Sequence, residues 1–232
     1  MRTQSANVRA LVVGLAFTAG FIDAFSLLGF GVFASVMTGN TIILGLGIAR
    51  GEPLSTALRS AIAIAAYMGG VALGTGITDS KPDRQLGRSA SRATNAFVLE
   101  FLALLALAVG VLFVGGTPNS NVVLALIALA AISMGLQSAG FNALGISGVS
   151  TTRITGTYES FVIDLYRWRR SSTLKTALKE KSNAALQAVV VLVYILAAIL
   201  GGLAEIHLSL DAMLVPVIVL GFMIIFARTR AG

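Results

Sequence analysis

The sequence predicts an all-α, polytopic transmembrane helix bundle of six spans, arranged as an inverted 3+3 repeat with two interrupted or re-entrant segments. Three observations carry this prediction. Of 232 residues, 56% are hydrophobic and 12% charged, half the roughly 25% of a soluble domain, and mean hydropathy is +0.88. That much apolar surface exceeds what one soluble core of this length can hide, so the bilayer is the solvent for most side chains. Apolar runs of about 20 residues, enough to cross the hydrocarbon core, recur along the chain. Finally, two broken segments echo each other, the signature of a repeated unit.

In chain order, the plain runs are 11–28, 57–77, 96–114, 122–144 and 184–203. A sixth, 210–226, contains Pro216, tolerated in a membrane helix when neighbours take up the freed carbonyl. Two runs are doubtful. Run 32–49 is interrupted by Thr38, Gly39, Asn40 and Thr41, and run 149–166 carries too many polar residues to face lipid. The start could pass for a secretory signal, but Asp23 and the apolar pattern beyond it favour a retained first span.

Basic residues decide how the doubtful runs count. Arg2 and Arg9 precede the first span; Lys81, Arg84, Arg88 and Arg92 follow the 57–77 run; six more basic residues lie in 167–181; Arg228 and Arg230 end the chain. Stretches 117–121 and 204–209 have no lysine or arginine. If both doubtful segments dip in and return, every basic region falls inside, both termini are cytoplasmic, and only Arg50 and Arg59 violate the positive-inside bias. Eight crossings, the alternative, would put 81–92 outside. Three spans per repeat is odd, so the second copy inserts upside down. The chain reads as a single domain, 1–232, with repeats near 8–116 and 120–230 and a seam at 117–121. Stretch 167–183 suggests a surface helix, with Leu174 and Leu178 on its apolar side and Tyr166 and Trp168 at the interface.

Composition also excludes functions. There is no cysteine and one histidine, His207, so neither a disulfide framework nor a His/Cys metal cluster is available, and no cofactor is expected. The net charge of +7 is explained by loop lysines and arginines rather than by nucleic acid.

The echo supplies the candidate site. The first copy reads Gly20, Phe21, Ile22, Asp23, Ala24, then Met37, Thr38, Gly39, Asn40, Thr41; the second reads Gly135, Leu136, Gln137, Ser138, Ala139, then Arg153, Ile154, Thr155, Gly156, Thr157. Gly lets the backbone leave helical angles, and Asn or Thr beside it can cap a restarting half-helix. Paired breaks of this kind point to a transporter's binding site; the plain alternative is close packing of small residues. Asp23, deep in the first span, reads as a proton or cation site or as a structural hydrogen bond to a neighbouring helix. Gln137 and Ser138 occupy the positions of Ile22 and Asp23. Thr152, Arg153 and Glu159 flank the second motif. Arg153 either attracts an anion or snorkels. Glu100 reads either as a proton relay or as a shallow, solvated carboxylate. Gly70 and Gly74 form a G-x-x-x-G pair.

These two constellations, with Gly148, Val149, Ser150, Thr151 and Thr152 between the halves of the second, resemble the YoaK-like family of bacterial membrane proteins, a domain of unknown function. The resemblance implies about six spans and a small protein of the bacterial cytoplasmic (inner) membrane; Ser138 stands where the family pattern suggests Asn. It brings no substrate.

The expected function is a small transporter or channel-like permease for a solute or ion, proton-coupled through Asp23. Its partners are the lipid bilayer, that solute and a second copy of the chain in a homodimer. The alternative is a non-transporting assembly or sensor protein with a basic cytoplasmic loop. An intramembrane enzyme is not expected, since no nucleophile–base pair or supported carboxylate dyad is visible.

Overall fold

A computed structural model describes residues 2–79, 86–113, 120–146, 148–207 and 213–229. The described residues form eight helices: α1 (Arg2–Phe30), α2 (Met37–Ala49), α3 (Leu54–Thr78), α4 (Leu86–Phe113), α5 (Ser120–Ala143), α6 (Ile154–Arg170), α7 (Leu174–His207) and α8 (Leu214–Thr229). Five are long and apolar enough to cross a membrane: α1, α3, α4, α5 and α7. α8, with Pro216 in its first turn, is a shorter apolar helix, as is α2. At about 1.5 Å per residue, α2 covers about 20 Å, short of the roughly 30 Å hydrocarbon core. The polytopic all-helical bundle is therefore as the composition requires.

The chain punctuation is local chemistry. Extended Pro53 opens α3, and Ser171, also extended, separates α6 from α7. Residues 174–183 are thus the first turns of α7, not a separate surface helix. Lys181 lies 5.4 Å over the Trp168 ring and joins the two helices across that break. Residues 80–85 of the 79–92 basic stretch, 117–119 of the seam and 208–209 of the 204–209 turn lie outside the described residues.

Helix directions follow from glycine contacts. Backbone meets backbone where Gly20 lies on the Tyr194 carbonyl and Gly201 on the Phe21 carbonyl, while Gly29 approaches the Glu205 carboxylate, so α1 and α7 run the same way. Gly70 lies on the Ile132 carbonyl, Gly135 on the Tyr67 carbonyl and Gly74 on Ala139, so α3 and α5 run the same way. The Gly70–Gly74 pair thus makes the close helix contact its spacing suggests. Gly140 faces Phe97 and Gly110 faces Leu126, so α4 opposes α5. Arg9 donates to Ser182 at the start of the α1–α7 contact. About a turn further along α7, Gln187 donates to the Gly148 carbonyl, just beyond α5. The end of α5 therefore lies beside the beginning of α1, and those two helices oppose each other.

The helix pairings of α1–α4 recur among α5–α8. α3 packs on α5 as α7 packs on α1; α2 packs on α3 as α6 packs on α7; α1 packs on α8 as α5 packs on α4. α1 and α5 are mostly buried and form the centre, while α3 and α7 are largely exposed. Met68 and Leu73 on α3, and Leu192, Ile199 and Leu203 on α7, form the outer apolar surface. In a bilayer such faces cost nothing, because lipid tails are as apolar as the residues.

Candidate functional site

Two loops, one per half, fold back into the bundle. After α1 ends at Phe30, Gly31 takes φ +75°, a left-handed conformation that only glycine adopts freely. The chain reverses alongside α1, and Ser35 returns to Asp23, twelve residues back: its N–H donates to Asp23 Oδ1 at 2.7 Å and its hydroxyl to Oδ2 at 2.5 Å. Tyr194 of α7 donates its hydroxyl to the same Oδ2 at 2.7 Å. Asp23 is buried, and its carboxylate fastens the first loop to α1 and α7 with three donors.

The second loop repeats the design. Gly148 takes φ +76°. The chain returns along α5, where Gln137 donates through Nε2 to Thr151 Oγ1 at 2.9 Å, fourteen residues on, and to the Leu15 carbonyl of α1 at 3.0 Å. Each loop is then closed by a side chain from the following helix. Asn40 accepts from the Phe33 N–H at 2.8 Å and donates to the Phe33 carbonyl at 2.7 Å. Thr157 accepts from the Ser150 N–H and donates to the Ser150 carbonyl, both at 2.9 Å. Both clamps reach seven residues back, and both residues are fully buried. The unpaired backbone of a buried loop must find partners somewhere, and an amide in one half and a hydroxyl in the other do the same work.

The loops meet. Ser35 Oγ lies 3.3 Å from the Thr152 carbonyl oxygen, and these two residues hold equivalent places in their loops.

The interruptions fall earlier than the sequence suggests. They lie at 31–36 and before Ile154, not at the Thr-Gly pairs, which sit inside α2 and α6. Asn40 and Thr157 do not cap a half-helix; the cap positions are Val36 and Arg153, neither with a side-chain cap bond. The left-handed glycines are Gly31 and Gly148 rather than Gly39 and Gly156.

Of the candidate residues, Asp23, Asn40, Gln137, Ser138, Thr152 and Thr157 are buried at or beside the junction. Thr38, Thr41, Arg153, Thr155, Gly156 and Glu159 are exposed, and Gly39 is half-buried against the Phe33 ring. Arg153 donates to Asn142 Oδ1 at 3.3 Å. Sequence reasoning missed Ser35, Tyr194 and Gly31, and named Gly148 and Thr151 only among the residues that carry the family resemblance, without a place in the site. Aligning the halves on their Thr-Gly pairs also aligns Gly31 with Gly148 and Ser35 with Thr152, a signal that was there to find. Nothing local marks Tyr194. Glu100, read as relay or shallow carboxylate, is fully buried in α4.

A separate open cleft of about 330 Å³ lies between α6 and α7, with Asp164, Arg167, Lys179 and Glu180 on its walls. Asp164 accepts from Gln187 at 2.8 Å, so the cleft adjoins the second loop. Among the described residues, no three His, Asp or Glu side chains come together to hold a metal. The junction itself offers one carboxylate, several hydroxyls and loop carbonyls, a set suited to a proton, a hard cation or a small polar solute.

Apolar helices around two folded-back, polar loops define a polytopic α-helical integral membrane protein. Comparison with known proteins agrees. The family described as "Protein of unknown function (DUF1275)" matches residues 11–226, and this chain belongs to it. It is 34% identical over 205 residues to the UPF0700 transmembrane protein YoaK of Bacillus subtilis (strain 168), covering 88% of this chain and 86% of that protein. No solved structure matches the chain.

Proposed function

We propose that this protein is a small transporter or channel-like permease of the bacterial cytoplasmic membrane, moving a small solute or ion through the junction of its two folded-back loops. The observation that carries this reading is the contact of Ser35 with the Thr152 carbonyl at 3.3 Å, which joins equivalent points of two equivalent breaks. Irregular backbone at membrane depth is tolerated only when buried in protein or lining a cavity, and paired breaks from two repeats are how transporters build such a site. The opposed directions of α1 and α5 support six crossings, an inverted 3+3 repeat with re-entrant α2 and α6, and cytoplasmic termini. The thin six-helix wall favours a homodimer in the bilayer.

Asp23 is the coupling group in this reading. The Ser35 hydroxyl has one proton and two acceptors, Asp23 Oδ2 and the Thr152 carbonyl. When Asp23 takes up a proton, it becomes a donor to Ser35 Oγ, and the Ser35 proton turns to Thr152. Protonation on one half is thereby read by the backbone of the other. Flux in proteoliposomes tests the coupling: Asp23→Asn abolishes pH-gradient-driven uptake, and uptake unchanged by it removes Asp23 from the mechanism. Sidedness is tested in the cysteine-free chain. Thr38→Cys and Thr155→Cys react with a membrane-impermeant thiol reagent from opposite faces, and labelling from one face alone refutes the inverted arrangement.

A second reading, a non-transporting assembly or sensor protein, is favoured by one observation: Asp23 already has three donors, as a dry structural latch requires. Here the exposed basic end of α6, with Arg167, Arg169 and Arg170, binds anionic lipid or a partner. Failure of both cysteines to react selects this reading.

A further inference from the structure

Glu100 is the residue the junction does not use. It lies within the apolar Arg92–Phe113 span of α4, is fully buried, and neither carboxylate oxygen has a hydrogen-bond partner. The side-chain oxygen of Gln137, Oε1, is also buried and without a partner. Its orientation is fixed: Gln137 donates to the Leu15 carbonyl, which can only accept, so the nitrogen must point there and the oxygen away.

The two residues lie level. Gly140 of α5 packs on Phe97 of α4, and the helices are antiparallel. Three residues forward on α4 and three back on α5 place Glu100 at the same depth as Gln137. Three buried acceptor oxygens therefore sit at one depth, and what they lack is a donor.

Among the described residues, no side chain supplies it. Of the helices packed on α4, α5 has no ionisable side chain; α3 brings Tyr67 and Arg59, the latter donating to the Phe30 carbonyl at 3.3 Å; α8 brings Arg228, in its last turn. On α4 itself, Arg88 and Arg92 are two or more turns away. In α1, beyond α8, Asp23 is engaged by Ser35 and Tyr194, and Arg9 by Ser182.

We propose that Glu100 is a proton-binding site, holding its proton at neutral pH and donating it to Gln137 Oε1. One proton removes the buried charge and gives Gln137 Oε1 its donor, leaving a single neutral carbonyl oxygen of Glu100 without a partner. Because Gln137 Nε2 also holds Thr151, the site is wired to the second loop through a single amide. Intramembrane carboxylates facing a bundle interior mark proton pathways. The proposal is independent of the transport reading, since it concerns the purified protein at equilibrium.

Infrared difference spectroscopy tests it. The carbonyl stretch of a protonated carboxylic acid is expected in the wild type at neutral pH, lost in Glu100→Gln and retained in Asp23→Asn. Gln137→Leu should shift that band to higher frequency by removing its acceptor. Glu100→Gln, nearly isosteric with the protonated acid, should leave the melting temperature unchanged. It serves as the fold control if Gln137→Leu does not fold. Absence of the band in the wild type, its persistence in Glu100→Gln, or its loss on adding sodium at fixed pH overturns the proposal, the last in favour of a metal cation.

Discussion

The tie between Tyr194 and Asp23 gives the sharpest test of how the first loop is held. Tyr194→Phe removes only the hydroxyl and leaves the ring and the Gly20 contact in place. The lost bond is 2.7 Å long, ends on a carboxylate and is nearly out of water. A hydrogen bond to a charged group contributes about 1.5–3 kcal/mol, so that is the expected cost. In an Asp23→Asn background the hydroxyl meets a neutral amide, and the same substitution should cost about 0.5–1.5 kcal/mol. The double-mutant cycle should therefore show a coupling of about 1–1.5 kcal/mol, read by reversible unfolding in mixed micelles. Tyr67, the equivalent tyrosine on α3, is the control. Ser138 stands in Asp23's place in that half, and Tyr67→Phe should cost less than about 1 kcal/mol. Additivity of Tyr194→Phe and Asp23→Asn within about 0.3 kcal/mol would refute the latch.

Three further outcomes are expected. Asn40→Ala strips both partners from the buried Phe33 backbone and should cost about 3 kcal/mol in the same unfolding assay, with Thr157→Val comparable for the second loop. Gly31→Ala should lose about 1–2 kcal/mol through its positive φ alone, because nothing lies within 4 Å of the new methyl; Gly31→Asn should lose less, since Asn tolerates that conformation. Gly20→Ala and Gly135→Ala push a methyl onto a facing carbonyl and should each cost about 1–3 kcal/mol by melting, whereas Gly45→Ala, in open space, should be neutral or stabilising.

Much of the architecture was legible because bilayer physics is written in composition. An apolar run of about 20 residues has few fates; the five plain runs correspond to α1, α3, α4, α5 and α7, and the sixth, Pro216-containing run to the shorter α8. The polar character of 149–166 and the interrupted 32–49 run marked α6 and α2 as different. The candidate site was legible in part. Asp23, Asn40, Gln137 and Thr157 lie at the junction, but the roles assigned to Asn40 and Thr157 differed. A capping rule is local, whereas these side chains close loops seven residues long.

The sequence by itself determined that this protein lives in a membrane, that it is helical, and that two of its polar segments echo each other, because each follows from residue type and spacing along the chain. Only the tertiary structure decided which carboxylate is satisfied and which is not. Asp23 and Glu100 look alike in sequence, each a lone acid in an apolar helix. Whether a tyrosine from α7 reaches the acid, as at Asp23, or no donor does, as at Glu100, depends on how distant helices are aimed, and that is set by where glycines let backbones touch.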